Sequence, residues 1–206
     1  MFDLGGVLID WDPRYLYRKV FADEAQVDHF LDTVATREWH AEQDRGRALE
    51  KGTALLASRY PEYAEEIGAY YRRWDEMFAG PIEGSVDVLA ELRGQRLPLY
   101  AMTNWSAETF PPAGGQYDFL GWFDEIVVSG AEGLIKPEKE IYGVLIERTG
   151  LNPAETVFVD DSLPNVAAAA ELGFTAIAFE TPGQLRGDLV ERGLLPEAAE
   201  GAGSDA

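Results

Sequence analysis

Two aspartates in succession, Asp160 and Asp161, follow the apolar run Thr156 to Val159. Adjacent carboxylates at the end of a buried strand repel each other unless a cation sits with them, so this pair calls for a metal ion. Three other polar groups occupy comparable places. Asp3 follows Met1-Phe2, Thr103 and Asn104 follow the apolar run Leu97 to Met102, and Lys136 lies in a loop just before a helical segment. A carboxylate, a hydroxyl, an amide and an ammonium beside a bound cation suit work on an anionic substrate. Taken singly, each has a plainer reading: Asp3 as a turn residue, Thr103 as an ordinary hydrogen-bonding residue, Lys136 as a solvated loop lysine. Their common placement argues for a site.

The 206-residue chain carries 37 acidic and 17 basic side chains, for a formal net charge of −20. Such a surface repels nucleic acid and anionic lipid, so neither is an expected partner. It repels a phosphate substrate too, so a site for one must carry its own positive charge. The absence of cysteine excludes disulfides and thiolate metal sites and fits the cytoplasm. No apolar stretch is long enough to span a membrane, and no basic-then-apolar leader opens the chain.

Those residues need elements to carry them. From about Pro13 to Ala79 the chain reads as helical, aromatic and charged. From Pro81 onward, short apolar runs alternate with helical patterns. Ser85 to Arg93 reads as a helix stopped by Gly94. Pro137 suits the first turn of a helix that Gly150 closes. Val166 to Leu172 reads as a helix closed by Gly173. Runs at Leu97–Met102, 125–129, 156–159 and 175–179 read as strands. The alternation predicts an α/β doubly wound parallel sheet, with its site beyond the C-terminal strand ends. Asp3, Thr103-Asn104 and Asp160-Asp161 all fall there. The expected domains are a Rossmann-like core of residues 1–12 and 80–206 and a helical insertion of residues 13–79. The acidic tail from Pro196 to Ala206 is expected to fray. A central strand commonly has about five residues, and only Met1 and Phe2 precede Asp3, so the native start is expected upstream.

The motifs resemble those of the haloacid dehalogenase superfamily, over nearly the whole chain. Asp3-Leu4-Gly5-Gly6-Val7-Leu8 resembles its nucleophile loop and Met102-Thr103-Asn104 its second motif. Lys136-Pro137 resembles the third, and Val157 to Asp161 with Asn165 the fourth. The helical insertion resembles the cap domain. The resemblance implies a Mg²⁺-dependent phosphatase acting on small phosphate esters, sugar phosphates among them. Asp3 would be the covalent nucleophile, forming an aspartyl-phosphate. Asp3, Asp160, the Gly5 carbonyl and Asp161 would serve the metal. Lys136 would neutralise Asp3 and the phosphoryl oxygens, and Thr103 would hold those oxygens. Asn104, Arg45 and His40 are the expected substrate contacts.

The first motif departs from the superfamily's usual Asp-x-Asp. Gly5 stands where the second aspartate, the general acid, is found, although a subset resembling sugar-phosphate phosphatases shares Asp-Leu-Gly. Two rival functions stay open. A 2-haloacid dehalogenase would use Asp3 without a metal, which leaves the Asp160-Asp161 pair without purpose. A weakly catalytic module that binds a phospho-ligand or a protein would explain Gly5 but not the intact Asp3, Lys136 and Asp160. The oligomeric state is not legible.

Overall fold

The computed structural model describes residues 1–197; of the tail expected to fray, residues 198–206 lie outside them. The strands are β1 (Ile9–Trp11), β2 (Phe78–Pro81), β3 (Tyr100–Thr103), β4 (Glu125–Val128), β5 (Val157–Asp160) and β6 (Thr175–Ala178). Between β1 and β2 lie α1 (Arg14–Tyr17), α2 (Glu24–His29), α3 (Arg37–Asp44), α4 (Leu49–Arg59) and α5 (Ala64–Arg72). After β2 come α6 (Glu83–Gly94), α7 (Phe110–Ala113), α8 (Ser129–Glu132), α9 (Lys139–Thr149), α10 (Leu163–Glu171) and α11 (Pro182–Glu191).

The main sheet is parallel. β3 pairs with β4 and β5 with β6, and Met1–Asp3 joins the two pairs. Phe2 N–H donates to Tyr100 O and Met102 N–H to Phe2 O, both at 2.9 Å, while Asp3 N–H donates to Val159 O at 2.9 Å. Successive strand residues point to opposite faces. Phe2, Ala101, Val128 and Val159 pack on Leu89 of α6 and Leu185 of α11. Met1, Met102, Val127 and Phe158 pack on Tyr142 and Leu145 of α9 and Ala169 of α10. Both faces are therefore covered, as a parallel sheet requires. This is the doubly wound α/β fold, and it brings Asp3, Thr103 and Asp160 to one edge because all three end parallel strands.

The helices between β1 and β2 bury Leu16, Tyr17, Phe30, Ile67 and Tyr70 in a core of their own. β1 and β2 pair antiparallel beneath them.

Two local expectations change. Gly94 does not stop α6; Arg96, at φ 59°, takes the left-handed position. Leu97 N–H donates to Leu92 O at 3.4 Å and Arg96 N–H to Arg93 O at 2.9 Å, which is the Schellman closure. That closure seats Leu97 against the core, and this apolar contact sets the stop. Pro137 precedes α9 instead of opening it, because Glu138 is the N-cap. Gly150 does close α9, at φ +69°.

Candidate active site

Lys136 organises the strand-end residues. Its ammonium is buried, with Nζ 2.8 Å from Asp3 Oδ2, 2.7 Å from Asp160 Oδ2 and 2.9 Å from the Met102 carbonyl. An ammonium has three donors, and here each has a protein acceptor. These donors are taken up by the frame, so an action of Lys136 on phosphoryl oxygens would be through its charge. Burial by itself would lower the Lys136 pKa, but the two carboxylates outweigh it and hold it above its ordinary value.

Asp160 is fully buried. Asn165 Nδ2 donates to both its oxygens at 2.9 and 3.1 Å, and Ser162 N–H donates to Oδ1 at 2.9 Å. Asn165 sits on the first turns of α10, whose start follows the strand directly. Asp3 Oδ1 accepts from Leu4 N–H at 2.7 Å. Burial raises the Asp3 pKa to about 7, with Lys136 opposing and Asp160 reinforcing the rise. Asp161, exposed, is also raised, by desolvation and then by Asp160.

Asp3, Asp160 and Asp161 each offer a carboxylate oxygen within 4.8 Å of the others. Lys136 balances one of those charges. The donor set is all oxygen, which suits a hard divalent cation. Thr103, buried, ends β3 on the same edge.

The nucleophile loop shows why two glycines follow Leu4. Gly6 has φ +74°, and a Cβ there would lie 2.4 Å from Asp161 Oδ2, so the approach of Asp161 needs a bare α-carbon. Gly5 is different. It lies outside the left-handed region, and a Cβ on it would meet nothing within 4 Å.

Three expected substrate contacts have other partners. Asn104 clasps the Lys136 backbone, accepting from its N–H at 2.9 Å and donating to its carbonyl at 3.0 Å. It holds the lysine loop in place. Arg45 makes a two-pronged bond to Glu138, at 2.6 and 2.7 Å, tying the helical insertion to the loop after Lys136. His40 is enclosed by aromatic rings. Its centroid is 5.2 Å from Trp11 and 5.7 Å from Trp74, its Nδ1 is 3.1 Å from Tyr71 Oη, and its Nε2 is 3.3 Å from Asp44 Oδ2. Burial lowers its pKa, against the pull of Asp44.

Sequence reasoning missed the residues that dock the insertion. Ser129 Oγ donates to the Asp44 carbonyl at 2.6 Å, and Glu108 Oε1 accepts from Leu49 N–H at 2.9 Å.

The comparisons with known proteins give the family. The profile of the haloacid dehalogenase-like hydrolases matches residues 1–173, and the chain belongs to that family. It is similar to a sesquiterpene phosphatase of Aspergillus oryzae, 31% identical over 86% of this chain and 87% of the relative. It is also similar to a D-ribitol-5-phosphate phosphatase of Bacteroides thetaiotaomicron, 35% identical over 92% of this chain and 95% of the relative. A HAD-like hydrolase structure from Porphyromonas gingivalis shares the fold with TM-score 0.69 and 22% identity, covering 94% of this chain and 95% of that one. A HAD-family enzyme of Bacteroides thetaiotaomicron, solved as a magnesium complex, does so with TM-score 0.68 and 20% identity, over 87% and 91%. The protein is a hydrolase with phosphatase relatives. No helix among the described residues is long and apolar enough to cross a membrane.

Proposed function

We propose that the protein is a Mg²⁺-dependent phosphatase of small phosphate esters, working through an aspartyl-phosphate on Asp3. The carrying observation is the buried Lys136 set between Asp3 and Asp160, with Asp161 completing a trio of carboxylates within 4.8 Å. Three carboxylates against one ammonium leave an anionic cluster that a divalent cation satisfies, and Asp3, Asp160 and Asp161 would hold it, with the Gly5 carbonyl as a further oxygen. When bound, Mg²⁺ supplies positive charge to phosphoryl oxygens.

The protein's own groups do the rest. Lys136 and the Leu4 N–H fix the Asp3 carboxylate, so its attack on phosphorus needs little reorganisation. Thr103 holds a phosphoryl oxygen. The P–O bond to the ester oxygen breaks as the Asp3–phosphorus bond forms. The leaving alkoxide takes its proton from water or from the substrate, since Gly5 offers none. Water then cleaves the acyl-phosphate, releasing inorganic phosphate and restoring Asp3. The helices between β1 and β2 act as a cap over this edge, excluding water.

A panel assay tests the reading: p-nitrophenyl phosphate and 2-chloropropionate, each with Mg²⁺ and with EDTA. Phosphate release that needs Mg²⁺ is expected. Metal-independent halide release would favour the dehalogenase instead, and binding without turnover would favour the module.

A second substrate type within this class is favoured by one observation. A ribbon of aromatic rings runs from the second motif into the insertion: Trp105 on Phe78 at 5.6 Å, Phe78 on Trp74 at 5.6 Å, Trp74 on Trp11 at 5.7 Å. Trp105 belongs to the core, but Trp11, Trp74 and Phe78 are only half-buried, and their remaining apolar area suits a hydrocarbon group, in keeping with the sesquiterpene phosphatase relative. Ribitol 5-phosphate and farnesyl monophosphate in one panel separate the two types.

Gly5 makes a further prediction. Without a general acid, the wild-type rate should fall steeply as the leaving-group pKa rises. Gly5→Asp meets neither a strained φ nor a steric block. It should flatten that dependence and speed poor leaving groups by about 10²-fold, the low end of general acid catalysis. A leaving-group series at saturating Mg²⁺ measures both slopes. A flat wild-type series would mean that another acid is already in place.

A further inference from the structure

The edge of the sheet opposite the catalytic one carries a pocket of its own. β3 and β4 are parallel, so the segments that lead into them, residues 97–99 and 121–124, lie at the same end. Thr103 is four strand residues beyond Leu99, about 13 Å away at about 3.3 Å per residue. The two segments and the end of α6 enclose an open pocket of about 470 Å³, with Arg93, Arg96, Pro98, Leu99, Trp122 and Asp124 in its lining.

Its two arginines set it apart. Among the described residues, eight arginines lie within ion-pair distance of a carboxylate. Of the remainder, Arg47 donates to the Trp39 carbonyl at 3.0 Å and Arg59 lies over the Tyr60 ring. Arg93 and Arg96 come together in this pocket. Asp124 shares the pocket but is held by the backbone: its Oδ2 accepts from Leu99 N–H at 2.9 Å, and its own N–H donates to the Leu99 carbonyl at 2.8 Å. Neither guanidinium closes on it. In a chain with 37 acidic side chains, two guanidiniums gathered without an ion-pair partner are disposed for an anion that arrives from outside.

Both arginines are also placed. Arg93 Cζ lies 5.1 Å from the centroid of the Trp122 ring. A guanidinium stacked on an indole keeps its N–H edge free for an acceptor. Arg96 takes the left-handed position that closes α6, at φ 59°, where glycine is the unstrained choice. Arg93, in the last turn, already offsets the C-terminal end of the helix dipole. Arg96 therefore occupies a strained position and adds a second guanidinium to the same pocket.

We propose that this pocket binds a small phosphorylated molecule, with its phosphoryl oxygens bridging Arg93 and Arg96 and its carbon part against Pro98 and the Trp122 edge. Two guanidiniums match a dianion in charge, and their planar N–H forks match its oxygens in pairs. The site is separate from the catalytic edge and independent of the phosphatase reading.

The test uses phenyl phosphate in EDTA, where the three carboxylates of the catalytic edge, without a cation, repel it. Calorimetry gives the affinity. The indole N–H signals in NMR report where the probe sits, with the Trp122 signal assigned from Trp122→Phe. Wild type should bind one equivalent and shift the Trp122 signal, with an affinity that falls as salt rises. Arg93→Met and Arg96→Gly should each weaken binding by about 10-fold or more, the size of a hydrogen bond to a charged group. Arg96→Gly relieves the strained φ and should melt no lower than wild type, so its loss of binding cannot come from unfolding. Arg59→Met removes another arginine without a carboxylate partner and should bind as wild type does. No binding by wild type at millimolar phenyl phosphate overturns the proposal. So does binding that leaves the Trp122 signal in place, or that survives both arginine substitutions.

Discussion

Asp3→Asn is expected to keep the fold and to lower phosphate release by about 10⁴-fold or more, the scale on which loss of a nucleophile is felt. The amide keeps the shape of the side chain and its bond from Leu4 N–H, but it cannot form the acyl-phosphate. Stability should move in a defined direction. Burial raises the Asp3 pKa to about 7, so the folded state holds a proton that the unfolded state has lost near pH 4. A raised pKa contributes stability that is fully present below the unfolded value and is lost as pH climbs through about 7. Asparagine does not titrate. In EDTA, the Tm of the variant relative to wild type should therefore rise between pH 5 and pH 8. A folded variant with wild-type turnover would end the covalent mechanism, and a Tm difference independent of pH would remove the electrostatic account of Asp3.

Lys136→Met carries the larger structural penalty. The ammonium is fully buried and serves Asp3, Asp160 and the Met102 carbonyl at 2.7–2.9 Å. Removing one partner of a buried ion pair costs about 3–5 kcal/mol, because the carboxylates left behind have no counter-charge. For a chain of this size that is a fall in Tm of roughly 6–20 °C. Phosphate release should fall to background as well. Mg²⁺ should restore more Tm to the variant than it adds to wild type, since its carboxylates lack their ammonium. Thermal melts in EDTA and in Mg²⁺ measure both quantities. A variant that melts with wild type in EDTA would show that Lys136 is not the electrostatic centre of the site.

The strand-end residues were legible because their placement follows from local rules. Ala101 and Met102, or Phe158 and Val159, alternate between the two faces of the sheet, and parallel strands end on one edge. A polar residue just after each apolar run is thus placed without knowledge of the partner strand. The partners themselves were not legible. Arg45 had many acidic neighbours in sequence, and it found Glu138, 93 residues away. His40 was an expected substrate contact, yet Trp11 from one segment and Tyr71 and Trp74 from another enclose it. Asn104 looked free to meet a substrate until the Lys136 loop came within reach. Gly94 was the evident helix stop by residue type. The apolar contact of Leu97 moved the stop two residues on, at the expense of an arginine with φ 59°. In each case a tertiary contact chose among local options that the sequence leaves nearly equal.

The account stands on a phosphoryl group passing through Asp3. Rapid quenching of the enzyme during turnover of p-nitrophenyl phosphate in Mg²⁺, followed by mass spectrometry of the N-terminal peptide, measures this directly. The account predicts a peptide heavier by one phosphoryl group, with the modification at Asp3, appearing in the first turnover and absent in Asp3→Asn. Rapid turnover by wild type with Asp3 unmodified at every quench time, together with phosphate release by Asp3→Asn at the wild-type rate, would contradict it.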